Sequence, residues 1–239
     1  MRKKILLSAV AVCATATCTA PSVAAAQRAI EVEPPSTFRD PVLVSKVTVG
    51  GSEVQCKRPS PLGAEHLFEP ITPFEWGDDW LQNIEIHLFN RTSRTIVFGR
   101  VVVAFSELGS GPAASGRRVA FLDFGRIPAN AAFFGDGKPM PQNPDQQPLS
   151  WGPRQTIVVH VGDYIDKIRG QIHDEVPTQV FIIKRPFFFA DGMRWDGDYA
   201  VPDPAHPGQW VAKEPLHFPG DREDNWPVPG QRWTPGPRK

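Results

Sequence analysis

The sequence predicts an all-β fold, an antiparallel β-sandwich with one short crossing helix and a proline-rich C-terminal tail. Several short segments alternate apolar and polar residues with period two, as half-buried strands do. No long helical segments alternate with them, which argues against a parallel βαβ architecture. The 26 prolines and 20 glycines among 239 residues indicate a loop-rich folded chain, because they stay below the fraction typical of low-complexity disorder.

The first predicted strand starts at Val42. Leu43, Val47 and Val49 share one face, and Ser45 interrupts the run. The prediction is seven or eight strands in all, the others being the short piece 53–56 and the segments 84–89, 96–105, 118–124, 156–161, 178–188 and 195–201.

Two strand pairs are predicted to form hairpins. Strands 84–89 and 96–105 are joined by the polar sequence Asn90-Arg91-Thr92-Ser93, which also matches an N-glycosylation acceptor but is predicted to be only a turn. Both faces of 96–105 are mostly apolar, which predicts a central position in its sheet. Asp191-Gly192 predicts a type I′ hairpin whose first strand ends near Phe189, because that turn requires positive φ at both central residues.

One segment has helical spacing. Tyr164, Ile165, Ile168 and Ile172 fall at offsets 0, 1, 4 and 8, and Asp163 precedes them in the N-cap position. We therefore expect a helix of two or three turns that crosses between the sheets.

The N-terminal segment is predicted to be a secretory signal peptide. A positively charged start (2–4) precedes an apolar stretch (5–12), and small residues ending in Ala24-Ala25-Ala26 follow. This pattern predicts cleavage after Ala26 and an exported chain, periplasmic or extracellular. The apolar stretch is too short for a transmembrane segment. Lipid attachment at Cys13 or Cys18 is a minor alternative.

The remaining chain is predicted to have three parts: an N-terminal extension (27–37), the β-sandwich domain (38–213) and the proline-rich tail (214–239). After cleavage 23 basic and 26 acidic residues remain, so the chain lacks the basic surface that nucleic-acid binding requires. Cys56 becomes the only cysteine, and no intrachain disulfide is possible. Its place in a short alternating segment predicts a small buried residue.

The sequence predicts no catalytic residue, metal site or cofactor. The six histidines lack the i, i+3 or i, i+4 spacing that would place two zinc ligands on one helix face, and the common hydrolase and nucleotide motifs are missing from the sequence. His87 and His160 are expected to be solvated or packed at a sheet edge. A calcium site is the alternative to turn formation for four aspartates, Asp191, Asp196, Asp198 and Asp203.

The segment Phe188-Phe189-Ala190-Asp191-Gly192-Met193-Arg194-Trp195 carries a family resemblance. Gly197, Tyr199, Asp203-Pro204, Pro207-Gly208 and Trp210 follow it. This segment resembles the closing hairpin of uncharacterised exported bacterial β-sandwich proteins, and the similarity also covers the strand pair 84–105. The resemblance covers about half of the mature chain and implies an immunoglobulin-like sandwich and a bacterial source. Those relatives have no assigned activity, so it implies no function.

Tryptophans beside loops are the functional lead, because their rings stack on sugars or anchor protein partners. The candidate binding residues are Trp76, Trp80, Trp195 and Trp210. The predicted function is a noncatalytic exported binding module for a glycan or an envelope protein. The alternative for the rings is that they pack loops onto the body. The alternative functions are an exported hydrolase with loop-assembled carboxylates in 57–80, or a structural subunit that docks through its proline-rich tail.

Overall fold

The computed structural model describes residues 25–33, 40–56, 72–105, 118–133, 136–142, 146–173 and 175–213. Most of the predicted signal peptide and the tail from residue 214 lie outside these ranges. Within them the chain is mostly β, which confirms the all-β class. The strands are β1 (Ala26–Val32), β2 (Val42–Val49), β3 (Ser52–Glu53), β4 (Phe74–Trp76), β5 (Ile84–Asn90), β6 (Ile96–Phe105), β7 (Arg118–Gly125), β8 (Thr156–His160), β9 (Gln179–Phe189), β10 (Arg194–Trp195), β11 (Tyr199–Pro202) and β12 (Trp210–Ala212).

The described strands form two sheets. The smaller sheet has the order β3-β2-β5-β8, and the larger runs β12-β11-β10-β9-β1-β4, with β6 on the other edge of β9 and β7 beyond it. The predicted central position of β6 is confirmed, since it pairs with both β7 and β9. The prediction of a wholly antiparallel fold is wrong at β1, which runs parallel to β9. This strand includes residues of the predicted N-terminal extension.

The inner faces of both sheets share one hydrophobic core. Alternate residues of β2 and β5 contribute from the smaller sheet, and those of β6, β7 and β9 from the larger. The largest apolar side chains in this core, each less than 2% exposed, are Trp80, Trp151, Trp195, Phe105, Phe187 and Phe189. Cys56, predicted to be buried, is half-buried against the same core.

The predicted hairpin between β5 and β6 is wrong. β5 pairs with β2 and β8 in the smaller sheet, whereas β6 belongs to the larger sheet, so the chain crosses from one sheet to the other after Asn90. The Asn90 side chain holds this crossing: its Nδ2 donates to the carbonyls of Arg94, Trp151 and Gly152 at 2.8, 3.2 and 3.0 Å. Because Asn90 is fully buried and its amide is engaged, it is inaccessible for glycosylation in the folded chain.

A β-bulge changes the predicted faces of β2. The register with β5 shifts between Val44 and Lys46, so Ser45 is an extra residue on this strand. Val44 and Val47 therefore both point into the core, while Leu43 is only half-buried. The prediction that Leu43 shares the face of Val47 is wrong for this reason.

The predicted helix is confirmed as α1 (Ile165–Ile172), which follows β8 of the smaller sheet and precedes β9 of the larger. Ile168 and Ile172 face the core. The predicted N-cap is wrong, because Asp163 lies inside a 3₁₀ helix (Val161–Tyr164) and the helix starts without a side-chain cap. Two further 3₁₀ helices cover Trp80–Asn83 and Ala129–Ala131. Within the described ranges, no helix is long and apolar enough to span a membrane.

The hairpin at Asp191-Gly192 is confirmed, since β9 ends at Phe189 and pairs with β10. Its turn is not type I′: Gly192 has φ +85°, but Asp191 does not have positive φ. The Gly192 amide donates to the Phe189 carbonyl at 2.9 Å. This is the three-residue loop in which a glycine in the left-handed region follows a tight turn.

Replacing Gly192 with valine should lower the free energy of unfolding by about 2 kcal/mol, because a β-branched residue resists positive φ. A Cβ atom at this position would also lie 2.4 Å from Asn130 Nδ2. Denaturant unfolding measures the change. Gly170→Ala is the control, because this helical glycine has ordinary φ and no atom within 4 Å of an added Cβ. An unchanged stability of Gly192→Val would contradict the requirement for positive φ.

Candidate functional site

Trp80 and Trp76 lie near the start of the 80–83 helix, and both are engaged within the domain. Trp80 is fully buried, and its Nε1 donates to the Pro177 carbonyl at 3.0 Å. Trp76 is half-buried with its ring against the turn at Gly50, where a Cβ atom would lie 2.3 Å from the ring. The glycine allows this close approach of ring and backbone.

Trp195 and Trp210 lie in the strands after the Asp191-Gly192 hairpin. Trp195 is buried and stacks on Phe187, with ring centroids 6.0 Å apart. Trp210 is half-buried: the Arg194 guanidinium lies 4.3 Å from its ring centroid, and Phe188 meets it edge to face at 5.9 Å. One face of the Trp210 ring is thus already occupied by a cation.

The four predicted binding tryptophans therefore do not form a binding platform in this structure. Trp80 and Trp195 are inaccessible to a ligand, and the rings of Trp76 and Trp210 pack against their own domain. These positions match the alternative interpretation, in which the rings hold loops onto the body. Two other tryptophans, Trp226 and Trp233, lie outside the described residues.

The larger sheet instead presents apolar side chains on its outer face. Val102 of β6 lies between Ile183 of β9 and Phe121 of β7, and the next row across the same strands contains Phe181, Ala104 and Val119. Their inward neighbours in sequence belong to the core, so these residues point away from it. We call the set Val102, Val119, Phe121, Phe181 and Ile183 the outward apolar face.

The exposure of this face is unusual for a sheet whose inner side is already packed. The outer side of such a sheet is ordinarily polar. Here Phe121 is 39% exposed, and the other four side chains are half-buried. Contiguous exposed apolar side chains with a polar border are typical of interaction surfaces.

Ion pairs border the outward apolar face on one side. Arg100 donates to Asp123 through Nε and Nη2 at 2.5 and 3.0 Å, and the hydrogen bond raises the pKa of the guanidinium. The same guanidinium lies 4.8 Å from the Phe121 ring centroid. Arg185 pairs with Glu33 at 2.6 Å. The positive charges of Arg100 and Arg185 are therefore each matched by a negative one.

Helix α1 covers the open edge of β7 beside this face. Lys167 Nζ donates to the Phe121 carbonyl at 2.6 Å, and the Tyr164 hydroxyl donates to the Asp123 carbonyl at 2.7 Å. Burial raises the pKa of the Tyr164 hydroxyl above its ordinary value. Since these carbonyls are satisfied, a partner would meet the face of the sheet and not extend β7 by strand addition.

Two histidines and a carboxylate meet on the outer face of the smaller sheet. Glu85 Oε1 lies 3.5 Å from His160 Nδ1, and Glu85 Oε2 lies 3.8 Å from His87 Nε2. Thr48 Oγ1 donates to the same carboxylate at 2.9 Å. The predicted partly solvated positions of both histidines are confirmed. Among the described residues, no three His, Cys, Asp or Glu side chains are arranged to hold a metal ion.

Two of the four aspartates considered for calcium, Asp191 and Asp203, have other partners. Asp191 pairs with Arg94, and its Oδ1 accepts the Met193 amide at 3.2 Å. Asp203 accepts from the Ala205 amide at 2.8 Å, and its hydrogen bond with His206 lowers the pKa of the carboxyl. These contacts are those of turn residues.

The hydrolase alternative depends on the acidic segment 57–80, of which residues 57–71 lie outside the described ranges. Its described carboxylates are Glu75, Asp78 and Asp79, and Asp78 is paired with Arg28 at 2.8 Å.

No protein-family model, curated protein or solved structure matches this chain.

Sequence reasoning missed the outward apolar face, although one signal for it was present. Both faces of 96–105 are apolar, and this was interpreted only as a central position in the sheet. A central strand that is apolar on both sides needs cover on both sides. In the structure the cover is complete on the inner side, whereas on the outer side Ala104 is 1% exposed, Val102 is half-buried and the neighbouring Phe121 is 39% exposed.

Proposed function

We propose that this chain is an exported, noncatalytic interaction module that binds a protein partner through the outward apolar face. The observation that carries the proposal is the two-row apolar surface of β6, β7 and β9, which lies on the outer side of a sheet whose inner side is packed and on which Phe121 is 39% exposed. Accessible aromatic side chains are enriched at protein interfaces.

The chemistry of the surface favours a protein over a glycan. A sugar needs hydrogen-bonding groups around an accessible ring, but the groups closest to Phe121 are already paired: Arg100 with Asp123, and Lys167 with a backbone carbonyl. An apolar surface with a polar border, in which Arg100 and Arg185 are already paired with carboxylates, resembles the anatomy of protein interfaces. The partner is expected to present an apolar patch of its own, without a requirement for strong opposite charge.

The immunoglobulin-like arrangement and the export of the chain belong to the same proposal. The shared core of the two sheets and the crossing after Asn90 support the arrangement. The charged start and apolar stretch in residues 1–26 support export. Cleavage after Ala26 would leave residues 27–32 of β1, including the pairs Gln27 with Glu75 and Arg28 with Phe74.

Site-specific photocrosslinking tests the proposal. A photoreactive phenylalanine at position 121 of the full chain, in the cells that naturally produce it, should give a discrete protein adduct. The matched control is the same group at Val211, which is 48% exposed on the edge strand β12. Equal adducts at both positions, or none at 121, would overturn the proposal.

The partner identified in this way allows a quantitative prediction. Phe121→Glu should weaken binding by about 30-fold or more, as loss of an interface hot spot does. Its folding stability should change little, because the side chain points outward. Val211→Glu should leave the affinity unchanged. Retention of full affinity by the Phe121 variant would exclude the outward apolar face as the contact.

A further inference from the structure

A separate cavity lies between α1, the 80–83 helix and the segment that leads into β9. Its volume is about 180 Å³. Leu81, Ile165, Ile172, Val176 and Pro177 provide its apolar lining. None of them belongs to the outward apolar face. Apolar cavities of ~150 Å³ accept a benzene-sized molecule, so this cavity has room for one aromatic ring.

Hydrogen bonds from two buried side chains fix the position of Pro177 in the cavity wall. Its carbonyl accepts from Trp80 Nε1 at 3.0 Å and from Arg28 Nη1 at 3.3 Å. Both donors are at least 97% buried. The cavity is therefore formed before a ligand arrives, which lowers the entropic cost of binding.

Most charges at the cavity mouth are neutralised. Asp78 is paired with Arg28 at 2.8 Å and Glu175 with Arg118 at 3.3 Å. Arg169, the positive charge at the mouth, lies 3.7 Å from the Asp166 carboxylate. Three charged groups at the mouth, Asp78, Glu175 and Arg169, therefore each have a neighbour of opposite charge.

Asp79 is the exception. It is exposed and accepts a hydrogen bond from Asn83 Nδ2 at 3.2 Å, and among the described residues it makes no ion pair. Among the described residues that line the cavity, Asp79 is therefore the one carboxylate without an ion pair. A ligand that places an apolar ring in the cavity and a cation at Asp79 would satisfy both features.

We propose that this cavity binds small organic amines, specifically an aromatic-sized apolar body carrying one positive charge. The ring contacts Ile165, Ile172 and Val176, and the ammonium lies at the mouth beside Asp79. The inference is independent of the proposed protein interface, because the two sites share no residue.

NMR titration of the full chain with 2-phenylethylamine tests the proposal. We expect amide shifts concentrated in 78–82, 165–172 and 175–177. The neutral analogue 2-phenylethanol and the anion phenylacetate should bind more weakly. Asp79→Asn should weaken binding of the amine by about two- to five-fold, the range of an exposed charge pair, and leave the neutral analogue unaffected. Asp163→Asn makes the same charge change at an exposed residue outside the cavity lining and is the matched control.

One further variant and one further ligand test the position of the site and the kind of ligand it binds. Val176→Lys, at a side chain that is 41% exposed, should abolish the amine shifts by filling the mouth with a cation. Shifts elsewhere, equal binding of amine and alcohol, or no effect of Asp79→Asn would each overturn the proposal. Tighter binding of a capped lysine amide than of the free amine would assign the cavity to a protein side chain and overturn the small-molecule assignment.

Discussion

Replacing Asp40 with alanine should destabilise the protein by about 3–5 kcal/mol, the largest effect expected for a single substitution here. Asp40 Oδ2 lies 3.2 Å from Lys184 Nζ, and the two side chains are 1% and 2% exposed. The pair joins the sheets, because Asp40 precedes β2 of the smaller sheet and Lys184 lies on β9 of the larger. Without the carboxylate, the Lys184 ammonium would remain buried. Of its two hydrogen bonds, only the one to the Val42 carbonyl, at 3.5 Å, would be left.

Equilibrium urea unfolding of Asp40→Ala, Lys184→Met, their double variant and one control distinguishes the loss of the pair from the loss of the aspartate alone. The double variant Asp40→Ala, Lys184→Met removes both charges and should be considerably more stable than Asp40→Ala. Asp166→Ala is the control for a carboxylate in an exposed ion pair, since Asp166 and its partner Arg169 are both exposed, and its expected cost is below about 1 kcal/mol. A small cost for Asp40→Ala, or strictly additive single and double variants, would show that the buried pair is not coupled.

Replacing Asn90 with alanine should cost about 3 kcal/mol. The side chain is fully buried, and its Oδ1 accepts from the Thr92 amide at 2.9 Å and the Thr92 hydroxyl at 2.8 Å. Its Nδ2 donates to three carbonyls on both sides of the crossing. Each buried group left without a partner costs ~1–3 kcal/mol, and these costs overlap within one network.

Thermal and denaturant unfolding measure this effect. Asn90→Asp keeps the acceptor for Thr92 but replaces the donor with a carboxylate that faces three carbonyls, so it should be at least as destabilising as alanine. Asn83→Ala is the matched control, because that amide bonds to Asp79 at an exposed site, and its removal should cost less than about 0.5 kcal/mol. If Asn83→Ala and Asn90→Ala were equally mild, the crossing would not depend on the Asn90 amide.

The site was less predictable than the fold. Tryptophan beside a loop signals either a ligand platform or a loop anchor, and local sequence does not distinguish them. The difference depends on distant residues: Trp80 bonds to Pro177, and the Trp76 ring rests on Gly50. The outward apolar face is likewise assembled from β6, β7 and β9, and only their register brings Phe121, Val102 and Ile183 into one row.

The sequence by itself determined where the longer antiparallel strands and the helix lie, but it did not predict β1, β4 or β12. Strands β5, β6, β7 and β9, helix α1 and the hairpin after Phe189 follow from local periodicity and from a glycine with positive φ. These are properties of adjacent residues, because alternation along a strand needs only one packed face.

Only the tertiary structure decided which strands pair. The polar residues after Asn90 have the composition of a hairpin turn. The side-chain amide of Asn90, however, donates to the carbonyls of Trp151 and Gly152, about 60 positions away. These hydrogen bonds stabilise the crossing of the chain to the sheet that contains β6. A bulge at Ser45 turns Leu43 away from the core. Partners this distant are chosen by burial and hydrogen-bond satisfaction in the assembled core, which no local pattern encodes.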